Sequence, residues 1–224
     1  MLSDQIISFY RSLTIQNKLP SGIQVMNPYT DAYTLGLCKK FYKKYYHDTN
    51  KRILLIGINP GRFGSGTTGI SFTDPVRLES ACDIPNTLKK SPELSSDFIY
   101  RMISAYGGPA SFYERYFITS VSPLGFTKAG KNINYYDEKR LEEGVTAFAV
   151  ESMNRQIKMG MDTDRCYCLG EGKNYKFLTS LNKEHRWFRE VIPLPHPRYI
   201  MQYKRKQLSG YIEQYLNALR LTSH

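Results

Sequence analysis

The stretch RILLIGINPGRFGSGTTG (52–69) joins an apolar run to a glycine-rich loop. The run at 52–59 is short and rich in branched aliphatic residues, which is typical of a buried strand. The loop at 57–69 contains five glycines, and Asn59 stands directly before a proline. Open α/β sheets bind ligands beyond the carboxyl ends of their strands, so this loop is a candidate ligand site.

Three more apolar runs resemble the first one, and helical patterns lie between them. The runs are at 115–121, 165–170 and 188–195, and the helical patterns are at 31–46, 94–106, 137–159 and 204–221. A further helix is predicted after Asp74, which has the position of a cap, with Pro75 in the first turn. Strands that alternate with helices predict an α/β fold with a largely parallel sheet and helices on both faces. The sequence shows no linker or repeat, so we expect one domain over residues 1–224.

The composition is that of a globular protein. Hydrophobic residues make up 41% of the 224 residues and charged residues 23%, and no apolar run is long enough for a membrane helix. The first residues lack a basic region followed by an apolar core, so we expect no signal peptide and a cytoplasmic location. The net charge of +11 favours polyanionic partners such as nucleic acid.

The four cysteines do not have the spacing of a metal site. They are Cys38, Cys82, Cys166 and Cys168. Zinc and iron–sulfur sites need clustered pairs such as C-x-x-C, which the sequence lacks. We therefore expect free thiols in a reducing compartment, and no metal.

The segment GRFGSGTT (61–68) has the spacing of a phosphate-binding loop but not its chemistry. Thr67 stands where that loop needs a lysine, and the next residues predict an extended segment rather than a helix. A tight surface turn is the simpler alternative, but it does not account for Asn59 at the strand tip. The neutral amide of Asn59 can orient a water without strongly deprotonating it, which suits a reaction whose leaving group departs first. Cleavage of an N-glycosidic bond is such a reaction, and Phe72 is a candidate stacking wall for the base.

A second candidate loop is PLPHPRYIMQYKRK (193–206). His196 lies between two prolines, so its backbone is predicted to be extended, at the end of the last strand. A histidine there can donate to an oxygen that gains negative charge on a departing base. Cations and an apolar group follow, as in a wedge that opens stacked bases. They are Arg198, Tyr199, Ile200, Met201, Lys204, Arg205 and Lys206. The alternative is an ordinary amphipathic helix start with the apolar group in the core.

These loops together resemble the motifs of the uracil-DNA glycosylase superfamily, of the single-strand-selective monofunctional type. GINPGRFGSGTTGISF (57–72) is similar to its first motif, G-M-N-P-G-P-F-G-x-x-x-T-G-x-P-F. Upstream, VMNPYTDAY (25–33) resembles Y-N-P-x-x-Y-A, and HPR (196–198) resembles a shortened H-P-S-P-R. The resemblance covers roughly residues 24 to 206.

The resemblance implies a three-layer α/β/α fold around a four-stranded parallel sheet. It also implies roles for individual residues: Asn59 positions the attacking water, His196 stabilises the uracil anion at O2, and Phe72 stacks on the flipped base. The backbone amides near Ile58 and Gly61 contact the base, and the segment from Arg198 onward opens the duplex. It implies neither a metal nor another cofactor.

Two departures from the family pattern affect the expected specificity. The family places an asparagine that reads the uracil edge where FITSVSPL (117–124) has Ser120. The serine hydroxyl can donate and accept, but it is shorter than an asparagine amide and should recognise the base less strictly. Either water, Asn132 or Asn134 completes the recognition of the base, or the substrate is not plain uracil. The shortened second motif removes two residues from the base of the wedge.

We therefore expect a monomeric, monofunctional DNA glycosylase for uracil or a related damaged base in DNA. It would flip the base, hydrolyse the glycosidic bond and leave an abasic site, without strand cleavage because neither motif carries a lysine nucleophile. One alternative is a nucleic-acid-binding protein that kept the fold and lost catalysis. Another is a glycosidase for free nucleosides, or an enzyme that acts on RNA.

Overall fold

The computed structural model describes residues 1–220, which contain seven strands and ten α-helices. The strands are β1 (Ile23–Met26), β2 (Ile53–Gly57), β3 (Tyr116–Ser120), β4 (Gly125–Lys128), β5 (Lys131–Ile133), β6 (Arg165–Leu169) and β7 (Glu190–Leu194). The helices are α1 (Leu2–Arg11), α2 (Ala32–Tyr45), α3 (Ser65–Thr68), α4 (Pro75–Ser80), α5 (Leu94–Tyr106), α6 (Pro109–Tyr113), α7 (Lys139–Lys158), α8 (Lys173–His185), α9 (Pro197–Tyr203) and α10 (Leu208–Arg220).

The four apolar runs form one parallel sheet in the order β3–β2–β6–β7, as the sequence predicts. Gly57 lies opposite Ser120, and Leu169 lies opposite Leu194. The loops that follow these residues therefore leave the sheet at one edge. Helices flank this sheet, so the three-layer α/β/α fold is confirmed.

A second, antiparallel sheet of order β1–β4–β5 was not predicted. Its strands have three or four residues each, too few to show an alternating pattern. Ala129 and Gly130 have φ of 48° and 71° and form the tight turn between β4 and β5. This hairpin brings residues 131–135 towards the carboxyl edge of the parallel sheet, where Asn59 contacts them.

The predicted helices are present, and Asp74 caps α4 by accepting from the backbone N–H of Arg77. The last helix begins at Leu208 rather than at 204, because a separate 3₁₀ turn covers Arg205–Gln207. Residue 221 of that predicted helix lies outside the described residues. The segment predicted as a wedge loop is helix α9, which packs against α5.

Most tyrosines belong to the core. Ten of the 18 are buried, and several stack on one another around Tyr42 and Tyr46. Among the described tyrosines, the strongly exposed ones are Tyr33, Tyr199 and Tyr203. Few tyrosine rings are therefore available at the surface for contacts with a partner. Within residues 1–220, no helix combines the length and apolarity needed to cross a bilayer.

Candidate active site

A cavity of about 680 Å³ opens at the carboxyl edge of the parallel sheet. The loops after β2, β6 and β7 and the last residue of β3 contribute to its wall. The residues predicted from sequence that line it are Ile58, Asn59, Gly61, Phe72, Ser120, His196, Arg198 and Tyr199. Residues from separate motifs therefore meet around one space of the size that small-molecule sites occupy.

The glycine-rich loop closes on itself. The hydroxyl of Thr67 donates to the carbonyl of Arg62 at 2.6 Å, and the N–H of Gly66 donates to the carbonyl of Gly61 at 2.9 Å. Thr67, which occupies the lysine position of a phosphate-binding loop, thus holds the loop internally. The loop places backbone, rather than a cation, at the cavity wall.

Phe72 is held against the end of β2 in an unusual backbone conformation. Its φ is 52°, which costs about 1–3 kcal/mol for a residue with a side chain. Thr73, the residue after Phe72, is also held in place, because its carbonyl accepts from the hydroxyl of Thr68 at 2.6 Å. A Cβ on Gly57 would lie 2.6 Å from the Phe72 ring, so only glycine allows this approach. The ring and the imidazole of His196 have centroids 6.1 Å apart, and they line one cavity.

The amide of Asn59 has a fixed orientation. Its Oδ1 accepts from the backbone N–H of Tyr135 at 3.0 Å, and its Nδ2 donates to the carbonyl of Ile133 at 3.2 Å. A reversed amide would lose both hydrogen bonds, each worth about 0.5–1.5 kcal/mol. The second lone pair of Oδ1 can still accept from a water. Asn59 therefore presents a pre-oriented acceptor at the cavity.

His196 is a neutral hydrogen-bond donor. It caps α9, and its Nδ1 accepts from the backbone N–H of Arg198 at 3.1 Å. This bond assigns the proton of the neutral ring to Nε2. Burial, with a contribution from the Arg198 charge, lowers the pKa of His196 to about 4. Although the ring is partly exposed where it lines the cavity, protein atoms surround the rest of it, so the neutral form prevails near pH 7.

Glu93 also lines the cavity, although no sequence motif points to it. Its carboxylate lies against Gly64, where a Cβ would overlap it. Burial raises the pKa of Glu93 to about 7; the Arg198 charge opposes this shift and the Asp74 charge adds to it. The cavity therefore contains a carboxyl group that titrates near neutral pH. Its segment, SPEL (91–94), has the composition of an ordinary polar helix start, so its sequence does not distinguish Glu93 as a site residue.

Ser120 lies in the cavity wall at the end of β3 and is 5% exposed. Its hydroxyl has no hydrogen-bond partner among residues 1–220, so it is available to a ligand. Asn132 and Asn134, the other candidates for reading a base, line the same cavity. Oδ1 of Asn132 accepts from the N–H of Arg62, and Nδ2 of Asn134 donates to Asp137.

The apolar group on α9 differs from the expected wedge. Ile200 and Met201 are buried, at 0% and 3% exposure, so the expectation that they form an exposed wedge is wrong for this structure. Tyr199 and Tyr203, one helical turn apart, are 43% and 66% exposed and line the cavity mouth. A helix has one buried face, and the apolar residues next to Tyr199 occupy it.

The cations after His196 differ in whether they line the cavity. Arg198 is exposed and lines the cavity. Arg205 is exposed and Lys204 partly buried, and neither belongs to the cavity wall. Lys173 is a further exposed cation of the wall, with its Nζ 5.7 Å from the centre of the Tyr136 ring. These two cations of the wall are suited to contacts with phosphates, and the exposed Glu171 lies in the same wall beside Lys173.

The four cysteines are free and buried. Burial raises the pKa of Cys38 to about 12 and that of Cys168 to about 12, so these thiols are protonated near neutral pH. Among residues 1–220, no group of three His, Cys, Asp or Glu side chains is placed to hold a metal ion.

Comparisons with known proteins match nearly the whole chain. The model of the uracil DNA glycosylase superfamily matches residues 44–220. The structure is similar to the crystal structure of wild-type Pedobacter heparinus SMUG2, with a TM-score of 0.97 and 46% sequence identity. That similarity covers 99% of this chain and 98% of the other. No curated protein sequence matches.

Proposed function

Because the chain belongs to the uracil DNA glycosylase superfamily, we propose that it is a monofunctional DNA glycosylase that excises uracil or a related damaged base. The observation that carries the proposal is the placement of Asn59 and His196 on one cavity. Asn59 presents a fixed acceptor, His196 a fixed neutral donor, and Phe72 a flat wall for a base. The superfamily implies DNA as the partner.

The reaction begins when the target nucleotide is flipped out of the DNA. The base enters the cavity and stacks on Phe72, and phosphates lie near Arg198. Tyr199 and Tyr203, exposed at the mouth, occupy the space that the base leaves in the stack. The flipped base is read by the free hydroxyl of Ser120.

The glycosidic bond then breaks before water adds. The base departs with the bonding electron pair, and its negative charge develops on O2. The Nε2–H of His196 donates to that oxygen without transferring its proton, since a neutral imidazole is a weak acid. Water held by Asn59 Oδ1 adds through its oxygen to the sugar carbon, and its proton leaves to solvent or the base. The products are the free base and an abasic site.

Base release from labelled oligonucleotides tests this function. Single-stranded and duplex DNA with uracil, deaminated or oxidised bases is incubated with protein, and abasic sites are then cleaved with alkali. We expect release by wild type and a loss of orders of magnitude in Asn59→Ala, with DNA binding nearly unchanged. Borohydride, which reduces the imine that a lysine nucleophile would form with the sugar, should trap no covalent adduct.

Two results would contradict the proposal. Wild-type-like release by both Asn59→Ala and His196→Ala would reject the site. Salt-sensitive DNA binding with no release from any substrate would instead support a nucleic-acid-binding protein without catalysis, which the replacement of the family asparagine by Ser120 favours.

A further inference from the structure

We propose that Tyr135 and Asn174 are positioning residues that hold the amide of Asn59 in its reactive orientation. The inference rests on the proposed function and extends it to residues outside both sequence motifs. Tyr135 does not line the cavity; Asn174 does, but both polar atoms of its side chain are bonded to protein. The two residues act through a chain of two buried hydrogen bonds and a partly buried one that ends at Asn59.

Tyr135 holds Asn59 at one end and is anchored at the other. Its backbone N–H donates to Asn59 Oδ1 at 3.0 Å, and its hydroxyl donates to Asn174 Oδ1 at 2.8 Å. The side chain is fully buried, with 0% exposure. Because the ring cannot turn without breaking the hydroxyl bond, the backbone N–H that faces Asn59 is fixed with it.

Asn174 extends the chain to the next strand. It lies in the first turn of α8, is 1% exposed, and donates through Nδ2 to Cys168 Sγ at 3.3 Å. Cys168 is on β6, which pairs with β2, the strand that leads to Asn59. Both polar atoms of the Asn174 side chain are thus committed to protein partners. The chain connects the ends of two neighbouring strands.

A buried polar chain of this kind specifies one arrangement. A buried polar group without a hydrogen-bond partner costs free energy in a low-dielectric interior. The arrangement in which every group of the chain is paired is therefore the dominant one. Removing the Tyr135 hydroxyl or the Asn174 acceptor releases the segment 133–135. Asn59 then loses the restraint that keeps Oδ1, rather than the amide nitrogen, at the water position.

The test uses Tyr135→Phe and Asn174→Leu, which keep most of the buried volume. We expect each to lower the single-turnover rate of base release about tenfold or more, since misplacement of a reacting group by about 1 Å is costly. The Kd for DNA with a non-cleavable base analogue should stay within about twofold of wild type. The double variant should be no slower than the slower single variant, because both changes break one unit.

Tyr46→Phe is the matched control. Tyr46 is also buried, its hydroxyl donates to the carbonyl of Tyr116, and it does not line the cavity. It should lose stability like Tyr135→Phe but keep the wild-type rate. Equal rates in Tyr135→Phe and Tyr46→Phe, or additive losses in the double variant, would overturn the proposal.

Hydrogen exchange separates this proposal from the proposed function. In wild type, the Tyr135 backbone N–H and the Asn59 side-chain amide should be protected in NMR spectra. Both should exchange faster in Asn174→Leu and not in Tyr46→Phe. If wild type releases no base, the glycosylase assignment fails, and the exchange result alone decides whether Asn174 and Tyr135 restrain Asn59.

Discussion

Replacing His196 with alanine should lower the single-turnover rate of base release by about 10²–10³-fold, because one donor to a developing anion is removed. That loss corresponds to about 2.7–4 kcal/mol of transition-state stabilisation. The same change removes the cap of α9, which costs about 0.5–2 kcal/mol of stability. In His196→Asn, the amide oxygen can still accept from the N–H of Arg198. The shorter side chain has no donor that extends to the base, as Nε2–H does. This variant should therefore lose the rate and keep the melting temperature.

The pH dependence tests whether His196 acts as a neutral donor. With a pKa of about 4, the ring is already neutral at pH 6.5, where an ordinary histidine titrates. The ratio of the wild-type rate to the His196→Asn rate should be constant between about pH 5.5 and 8.5. A ratio that changes around pH 6.5 would refute the neutral donor and indicate that His196 acts as an imidazolium. An inflection near pH 7 that both proteins show and that Glu93→Gln removes would belong to Glu93.

Stability should show the opposite proton linkage for these two groups. The folded pKa of His196 lies below the unfolded value of 6.5, so the unfolded chain binds the proton first as pH falls. The stability from neutral His196 is thus present above pH 6.5 and is lost as pH falls towards 4. The folded pKa of Glu93 lies above the unfolded value of 4.5. Its contribution is present below pH 4.5 and is lost as pH rises through 7.

Ser120→Asn restores the family amide and should raise the release of uracil relative to other bases, measured on matched oligonucleotides; an unchanged ratio would remove Ser120 from base reading. Glu93→Gln should raise the melting temperature above that of wild type at pH 8 but not at pH 4, and an equal gain at both values would contradict the raised pKa. Tyr199→Ala and Tyr203→Ala should slow release from duplex DNA more than from single strands, because only the duplex must be opened; equal losses on both substrates would exclude a wedge.

The parallel sheet and its site were predictable because their signals are contiguous. Each strand is one apolar run, and only a parallel sheet gathers the loops after 57, 120 and 194 at one edge. Asn59, Phe72 and His196 were selected because each stands at a fixed distance from a strand end or within a motif. Their placement on one cavity agrees with this reasoning.

The remaining site residues act through features that the sequence does not display. Tyr135 holds Asn59 through a backbone N–H, which every residue except proline possesses. Glu93 comes from a polar helix start, and its raised pKa arises from burial. Ile200 and Tyr203 differ in exposure because of how α9 packs on α5, which a seven-residue helix does not reveal by its pattern.

The edge position of β5 predicts that base release is more heat-sensitive than the fold. The carbonyl of Ile133, the last residue of this three-residue strand, holds the amide of Asn59. Short edge strands open by local unfolding at free energies far below that of the whole domain. We therefore expect base release to fail on warming while far-ultraviolet circular dichroism is unchanged. We expect the opening of the hairpin 125–133, rather than the melting of the whole domain, to set the upper temperature for base release.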